Sequence, residues 1–151
     1  MDKKLRDQLS KIKLLICDID GVLTDGSFIK STSGDELRSF NALDGVGFVT
    51  LRLLNLNIKT AWITGRESLT TTQRAEELQI DDVYNGVIRK IDAYDELKKK
   101  YGVLDNEVCF IGDDIIDIPI LEKVGFAVTV PNAPKYISCL LYTSDAADER
   151  L

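Results

Sequence analysis

The 151-residue sequence contains no histidine. Ser-His and Cys-His catalysis, histidine acid–base chemistry and most zinc sites are therefore excluded. The three cysteines, Cys17, Cys109 and Cys139, are odd in number and widely spaced, and they form no Cys-x-x-Cys pair. Cys17 and Cys109 lie in apolar runs, which favours buried, reduced thiols. An enzyme built on this sequence must rely on carboxylates, hydroxyls, lysine and a hard metal ion.

Long apolar runs are also missing. No stretch approaches the roughly 18 apolar residues that a membrane span needs. Residues 1–11 are polar and charged, so they predict no secretory signal. The formal net charge of −6 argues against a nucleic-acid partner. We therefore expect a cytoplasmic globular protein that binds neither membrane nor nucleic acid.

Short apolar runs alternate with amphipathic stretches along the chain, a pattern typical of a parallel sheet covered by helices on both faces. The predicted fold is a doubly wound, mostly parallel α/β domain. Its predicted strands are residues 12–17, 58–63, 83–84, 108–111 and 126–130. Its predicted helices are residues 44–55, 67–78, 91–101 and 115–123. Residues 27–30 and 35–40 flank a turn-like segment and predict a small β-hairpin.

The last segment, residues 139–151, breaks this alternation. We predict that residues 1–138 form the domain and that the native C-terminal tail is truncated in this chain. We further predict that residues 139–151 are a non-native or disordered tail.

Acidic motifs follow two of the predicted strands. Asp18-Ile-Asp20 comes directly after the first strand, and Gly112-Asp-Asp-Ile-Ile-Asp117 follows the fourth. Ligands of open α/β sheets bind at the carboxyl ends of the strands, where clustered carboxylates repel one another unless a cation is present. Oxygen ligands without histidine or thiolate favour magnesium over zinc. Each motif alone also fits a structural role, as a polar turn or as acids at a helix N-terminus, but two acidic strand ends in one small sheet favour a site.

Two further features fit phosphate binding. Thr64-Gly65-Arg66 ends a predicted strand and opens a helix, so it offers a hydroxyl and backbone N–H groups to an anion. Lys90 begins the following helical stretch and is able to neutralise the same phosphate. Taken singly, a Thr-Gly turn or a lysine at a helix start is usually structural.

Together these residues resemble the ordered motifs of the haloacid-dehalogenase-type phosphatases: Asp18-x-Asp20, Thr64, Lys90 and Gly112-Asp-Asp-x-x-Asp117. The resemblance covers residues 13–136. Within that superfamily, the chain is most similar to the family that hydrolyses 3-deoxy-D-manno-octulosonate 8-phosphate. The longer motifs behind this similarity are Asp18-Ile-Asp-Gly-Val-Leu-Thr-Asp-Gly26, Phe40-Asn41, Asp44-Gly45-x-Gly47 and Ile63-Thr-Gly-Arg66.

The resemblance implies a magnesium-dependent phosphoric monoester hydrolase. Asp18 would be the nucleophile and would form an aspartyl-phosphate, while Asp20 would protonate the leaving oxygen and later activate water. Mg²⁺ would be bound by the Asp18 carboxylate, the Asp20 backbone carbonyl and Asp113, with Asp114 and Asp117 arranging the ligands around them. The residues expected to contact substrate or phosphate are Asp20, Asn41, Gly45, Thr64, Gly65, Arg66, Arg74 and Lys90.

The implied substrate is 3-deoxy-D-manno-octulosonate 8-phosphate, in lipopolysaccharide precursor synthesis. Another acidic sugar phosphate, such as a nonulosonate 9-phosphate, is the alternative. The spacings from Asp18 to Thr64 and from Thr64 to Lys90 are taken up by the hairpin and crossover helices, which leaves no room for a separate cap domain. Related enzymes close their pockets by forming homotetramers, so the hairpin at residues 27–40 is the predicted interface.

Two alternatives of other classes stay open. A phospho-accepting receiver module also combines acids, threonine, lysine and Mg²⁺ on a doubly wound sheet. Such a module carries its acidic pair first and its phosphorylated aspartate on a later strand, whereas here the candidate nucleophile comes first. A catalytically idle subunit that only assembles is the other alternative, which the intact acids disfavour.

Overall fold

The computed structural model describes the backbone of residues 3–148 and the side-chain surroundings of residues 3–141. The strands are β1 (Leu14–Cys17), β2 (Ile29–Lys30), β3 (Glu36–Leu37), β4 (Lys59–Thr64), β5 (Asp82–Asn85), β6 (Val108–Ile111) and β7 (Phe126–Val128). The helices are α1 (Lys3–Leu9), α2 (Ala42–Leu53), α3 (Leu69–Leu78), α4 (Lys90–Tyr101), α5 (Ile118–Leu121) and α6 (Lys135–Asp148). Two 3₁₀ turns cover Asp105–Glu107 and Ile115–Asp117.

Five strands form one parallel sheet in the order β5-β4-β1-β6-β7. Strands β2 and β3 pair antiparallel as a separate hairpin. The doubly wound α/β prediction is therefore confirmed, with the hairpin inserted between β1 and α2. Because β1 lies in the centre of the sheet, its carboxyl end is flanked by those of β4 and β6, and this arrangement brings the predicted motifs to one edge.

Both faces of the sheet are buried, as expected where helices cover a parallel sheet. Side chains of alternating direction in β1 and β4 separate into two apolar clusters. One contains Leu14, Ile16, Ile63, Tyr94, Leu97, Phe110 and Ile120, and the other contains Cys17, Ile19, Phe48, Trp62, Ala75 and Leu78. The predicted burial of the Cys17 and Cys109 thiols is confirmed.

Several predicted boundaries were wrong. The hairpin strands pair over two residues each, and the helix predicted at 115–123 is a 3₁₀ turn followed by the four-residue α5. That turn forms because the carboxylates of Asp114 and Asp117 accept hydrogen bonds from nearby backbone N–H groups. Pro119 lies in the first turn of the short helix that follows. Helix α1 was not predicted.

Helix α6 crosses the predicted domain boundary at residue 138. Ile137 is fully buried and Leu141 packs against the first apolar cluster. The side chains of residues 142–151 lie outside the described residues, so the assignment of 139–151 as a non-native tail stays a prediction. Among the described residues, no helix is both long and apolar enough to cross a bilayer.

Candidate active site

Asp18 directly follows β1, where its backbone N–H donates to the Ile111 carbonyl at 2.9 Å and so ties the end of β1 to β6. The residue is only 4% exposed. Lys90, at the start of α4, is buried beside it: its Nζ lies 2.6 Å from Asp18 Oδ1 and 2.7 Å from Asp117 Oδ1. The predicted nucleophile and the predicted phosphate-binding lysine are thus in direct contact.

Asp117 is fully buried and organises the loop after β6. While Oδ1 faces Lys90, Oδ2 accepts hydrogen bonds from the backbone N–H groups of Asp113 and Asp114, at 3.0 and 3.1 Å. A Cβ on Gly112 would lie 2.7 Å from the Asp117 side chain, so this close approach requires glycine. Since both of its oxygens are engaged, Asp117 orients the loop and Lys90.

Burial and neighbouring charges shift the pKa values of Asp18, Asp113 and Lys90. Burial raises the pKa of Asp18 to about 7, because the Asp117 charge adds to the effect and the Lys90 charge only partly opposes it. Burial and the Asp117 charge also raise the pKa of Asp113. Burial acts to lower the pKa of Lys90, but the charges of Asp18 and Asp117 outweigh it and raise that pKa. The pocket thus disfavours further negative charge unless a cation joins it.

The acids fit a hard divalent cation. One carboxylate oxygen from each of Asp18, Asp113 and Asp117 lies within 4.8 Å of the others. Asp113 Oδ1 is buried and, within the described residues, has no hydrogen-bond partner, which is costly without compensation. Asp113 Oδ2 packs so closely on Gly21 that a Cβ there would lie 2.0 Å away. Asp18 and Asp113 therefore have oxygen atoms available for a metal ion, and oxygen-only ligands suit Mg²⁺.

Asp20 faces the same pocket and is held from two sides. The fully buried Thr64 hydroxyl, at the end of β4, donates to Asp20 Oδ2 at 3.3 Å. Arg38, just after β3, brings its Nη1 to 3.0 Å from Asp20 Oδ1. The sequence analysis missed Arg38. Glu36 and Arg38 do share one strand face by their two-residue spacing, but an opposite-charge pair on a hairpin normally indicates a solvated surface.

A cavity of about 430 Å³ opens over these acids. It is lined by Asp18, Asp20, Gly26, Phe28, Gly65, Arg66, Ile88, Asp114 and Ile116. The Arg66 guanidinium lies 3.8 Å from the centre of the Phe28 ring, so the hairpin side chain Phe28 supports a cation at the cavity wall. The Asp114 carboxylate is turned outwards and accepts a hydrogen bond from the Tyr136 hydroxyl at 2.7 Å.

Five of the predicted contacts with substrate or phosphate do not line this cavity. Thr64 and Lys90 are buried and contact its acids Asp20 and Asp18. The other three lie elsewhere. Asn41, Gly45 and Arg74 border a separate small cavity under α2. There Asn41 caps α2 by accepting from the Leu43 N–H at 2.8 Å, and a Cβ on Gly45 would lie 2.8 Å from Arg74 Nη2. Arg74 itself pairs with Glu77 at 2.9 Å. Their role as substrate contacts stays a prediction.

Comparison with known proteins decides the family. Residues 60–140, more than half of the chain, match the model of the haloacid dehalogenase-like hydrolases. The chain belongs to this family. Its resemblance to one branch of these hydrolases is also confirmed: it is 40% identical, over 122 residues, to the 3-deoxy-D-manno-octulosonate 8-phosphate phosphatase of Escherichia coli K12. That match covers 81% of this chain and 64% of the relative, so the chain spans less than two thirds of the length of this relative.

Solved structures of related hydrolases superpose closely. The 3-deoxy-D-manno-octulosonate 8-phosphate phosphatase of Yersinia pestis is 38% identical with a TM-score of 0.83, covering 88% of this chain and 71% of that one. The enzyme of the same name from Moraxella catarrhalis was solved in complex with a magnesium ion, a phosphate ion and 3-deoxy-D-manno-octulosonate (KDO). It is 34% identical with a TM-score of 0.83, covering 89% of this chain and 76% of that one.

Proposed function

We propose that this chain is a magnesium-dependent phosphatase that hydrolyses 3-deoxy-D-manno-octulosonate 8-phosphate to KDO and phosphate. The observation that carries the proposal is the convergence of Asp18, Asp113 and Lys90, from three different segments, at the carboxyl edge of one sheet. The relatives named for this activity support the choice of substrate. Lipopolysaccharide precursor synthesis in the cytoplasm is the corresponding biological setting.

The chemistry follows from the positions of two carboxylates. Asp18 attacks the phosphorus, forming an aspartyl-phosphate while the bond to the sugar oxygen breaks. Asp20 gives its proton to that leaving oxygen and then takes a proton from the water that attacks the phosphorus, which restores Asp18 and releases phosphate. Lys90, 2.6 Å from Asp18, offsets negative charge on the phosphoryl group throughout.

The metal site consists of the Asp18 carboxylate, the Asp20 backbone carbonyl and the Asp113 carboxylate. The buried, unpartnered Asp113 Oδ1 in the described part of the chain supports this assignment, as does the magnesium ion in the Moraxella enzyme. Bound Mg²⁺ supplies electrostatic stabilisation of the charge that develops on the transferring phosphoryl oxygens. Asp117 and Asp114 serve the site indirectly, through Lys90 and the loop backbone.

The rest of the substrate lies against the wall that contains Gly65 and Arg66, with the buried Thr64 hydroxyl acting through Asp20. The Arg66 guanidinium is suited to the sugar carboxylate, because its donors match the two carboxylate oxygens. Asn41, Gly45 and Arg74 stay proposed substrate contacts, although they border a separate cavity in this chain.

The proposed assembly is a homotetramer with the hairpin, residues 27–40, at its interface. Ile29 and Leu37 support this, because their apolar side chains are 67% and 63% exposed on adjacent strands. Exposed apolar side chains that cluster in this way are typical of contact surfaces.

Two alternatives stay distinguishable by experiment. A nonulosonate 9-phosphate is the alternative substrate, since Arg66 would bind its carboxylate in the same way. A receiver-like module is the alternative of a different class, and the position of Asp18 on the first sheet strand argues against it.

Phosphate release tests the proposal. The purified chain is assayed with 3-deoxy-D-manno-octulosonate 8-phosphate, a nonulosonate 9-phosphate and a neutral sugar phosphate, each with Mg²⁺ and with EDTA. We expect turnover that needs Mg²⁺ and is fastest with the octulosonate ester. The same assay is run on Asp18→Asn, which should abolish turnover. Asp92→Asn is its matched control, because Asp92 is exposed on α4 and pairs only with Arg89 among the described ion pairs. Stable phosphorylation of the protein without turnover would contradict the phosphatase and favour the receiver-like module.

A further inference from the structure

Arg38 is an arginine on the hairpin whose side chain is completely shielded from solvent. Its Nε donates to Glu36 Oε1 at 2.9 Å, and its Nη1 donates to the Thr71 hydroxyl at 3.2 Å. The same Nη1 lies 3.0 Å from Asp20 Oδ1. A buried guanidinium is stable only where its charge is compensated, and here carboxylates from two different segments provide that compensation.

The contact with Asp20 is an ion pair rather than an aligned hydrogen bond. Asp20 Oδ1 is buried and accepts no hydrogen bond within residues 3–148, and Arg38 Nη2 is buried without an acceptor there. An unsatisfied acceptor and an unsatisfied donor therefore belong to the two partners of one ion pair. Catalytic hydrogen bonds are often poorly aligned until substrate binds.

Asp20 needs such a restraint because it lies in the irregular stretch between β1 and the hairpin. It precedes Gly21, whose φ of +96° turns the chain sharply. Thr64 restrains Oδ2 through a neutral hydrogen bond that is long at 3.3 Å. Arg38 acts on the other oxygen with a full charge in buried surroundings, where electrostatic interactions are stronger than in water.

Glu36 in turn holds Arg38. Burial of the Glu36 carboxyl acts to raise its pKa, but the hydrogen bond and charge of Arg38, with contributions from Ser68 and Arg66, hold the pKa below its ordinary value. Glu36 Oε2 also lies 4.0 Å from Arg66 Nη1. A single chain of ion pairs thus links Asp20, Arg38, Glu36 and Arg66.

We propose that Arg38 is a positioning residue that holds the Asp20 carboxylate where it exchanges a proton with the leaving oxygen and with water, and that Glu36 fixes Arg38 for this task. The inference rests on the proposed roles of Asp18 and Asp20. Arg38 does not line the 430 Å³ cavity, so it acts through Asp20 and not by contacting the substrate.

A positioning role predicts selectivity for the leaving group. The sugar alkoxide is a poor leaving group that needs the Asp20 proton, whereas p-nitrophenolate leaves readily without it. The ratio kcat/KM reports the step in which the leaving group departs, since aspartyl-phosphate hydrolysis follows that step. Damage to Asp20 positioning therefore lowers kcat/KM for the sugar-acid phosphate far more than for p-nitrophenyl phosphate.

The test compares Arg38→Met, Arg38→Lys and wild type on both substrates. General acid catalysis is worth roughly 10²–10⁴-fold, and Arg38→Met misplaces Asp20 without removing it. We expect kcat/KM for the sugar-acid phosphate to fall about 10- to 100-fold, because misplacement by about 1 Å costs on the order of 10²-fold. For p-nitrophenyl phosphate we expect less than about threefold loss. Arg38→Lys should recover part of the kcat/KM lost on the sugar-acid phosphate, because lysine keeps the positive charge but lacks the forked N–H donors of the guanidinium.

Two controls separate positioning from simple structural damage. Thr71→Val removes the hydrogen bond from Nη1 to the Thr71 hydroxyl and leaves the Asp20 contact, so it should not discriminate between the substrates. The Mg²⁺ concentration for half-maximal activity should stay unchanged in Arg38→Met, because the Asp20 side chain is not a metal ligand. If Arg38→Met fails to fold, Glu36→Gln provides the same test, since it releases Arg38 without deleting it.

Equal losses on both substrates in Arg38→Met, or a selective loss in Thr71→Val, would overturn this inference and leave the proposed function intact. A loss confined to KM would overturn it too, and would assign Arg38 to direct substrate binding. A wild-type protein that releases phosphate from neither substrate would overturn the proposed function and, with it, the role given to Arg38.

Discussion

Replacing Asp18 with asparagine should stop turnover and, at the same time, stabilise the metal-free protein at neutral and alkaline pH. Asp18 is 4% exposed, and its pKa rises from an ordinary 3.8 to about 7 because burial and the Asp117 charge disfavour the carboxylate. The site thus holds an acid whose charged form, needed for attack on phosphorus, is unfavourable without a metal. Functional sites commonly reduce stability in this way.

The sign and size of this change in stability follow from proton linkage, that is, from the different pKa of Asp18 in the folded and unfolded states. The folded protein binds the Asp18 proton more tightly than the unfolded chain does. The contribution of Asp18 to folding stability is therefore fully present below about pH 4 and is lost as pH rises through about 7. At about 1.4 kcal/mol per pH unit, the loss at pH 8 is at most about 4 kcal/mol. Asparagine does not ionise and avoids this loss. The raised pKa already includes the attraction to Lys90, and within this upper bound we expect a gain of about 1–3 kcal/mol.

Urea unfolding in EDTA, measured from pH 4 to pH 8, tests this prediction. The gain of Asp18→Asn over wild type should be absent near pH 4 and largest near pH 8. Mg²⁺ should remove the difference by stabilising only the wild type.

Asp81→Asn is a control of opposite sign. Burial acts to raise the pKa of Asp81, but hydrogen bonds from Lys59 and Thr60 outweigh it and lower that pKa. Its stabilisation is therefore present above its ordinary pKa and is lost as pH falls through the folded value, so the variant should be less stable than wild type at pH 8. A destabilised Asp18→Asn protein at pH 8 in EDTA would refute the reasoning about the buried acid.

Three further predictions concern the same cluster. Lys90→Met should destabilise the fold by roughly 3–5 kcal/mol in urea unfolding, because it leaves two buried carboxylates without their shared cation; a loss below about 1 kcal/mol would contradict the buried ion pairs. Asp113→Asn should raise the Mg²⁺ concentration for half-maximal activity at least tenfold, by about 1.4 kcal/mol or more, whereas Asp92→Asn should leave it unchanged. Gly21→Ala should abolish Mg²⁺-dependent activity, because the new Cβ would meet Asp113 Oδ2 and the φ of +96° disfavours alanine; normal activity would show that this approach is unnecessary.

The sequence was sufficient to predict the sheet and its acidic edge. Apolar runs such as Leu14–Cys17 and Val108–Ile111 predict buried parallel strands because both of their faces are apolar. The carboxyl ends of neighbouring parallel strands share one edge, so the convergence of the two acidic motifs follows from strand position. The choice of Asp18 and Asp113 within those motifs came from the family resemblance. These predictions depend on local pattern and on a general rule of topology.

The contacts made by the hairpin were beyond that reasoning. Arg38 is buried because the hairpin folds back over Asp20 and Thr71, and nothing in the local sequence fixes that docking. The same limit applies to Asn41 and Arg74, which line a different cavity from Asp18. The 3₁₀ turn at Ile115–Asp117 was also missed, since it depends on side-chain hydrogen bonds to the backbone that override helical spacing.

Anomalous diffraction from a crystal soaked in Mn²⁺, a Mg²⁺ substitute with a measurable anomalous signal, tests the central claim most directly. The account predicts one strong peak bonded to the carboxylates of residues 18 and 113 and to the backbone carbonyl of residue 20. A peak elsewhere on the molecule, with none between these two strand ends, would contradict it.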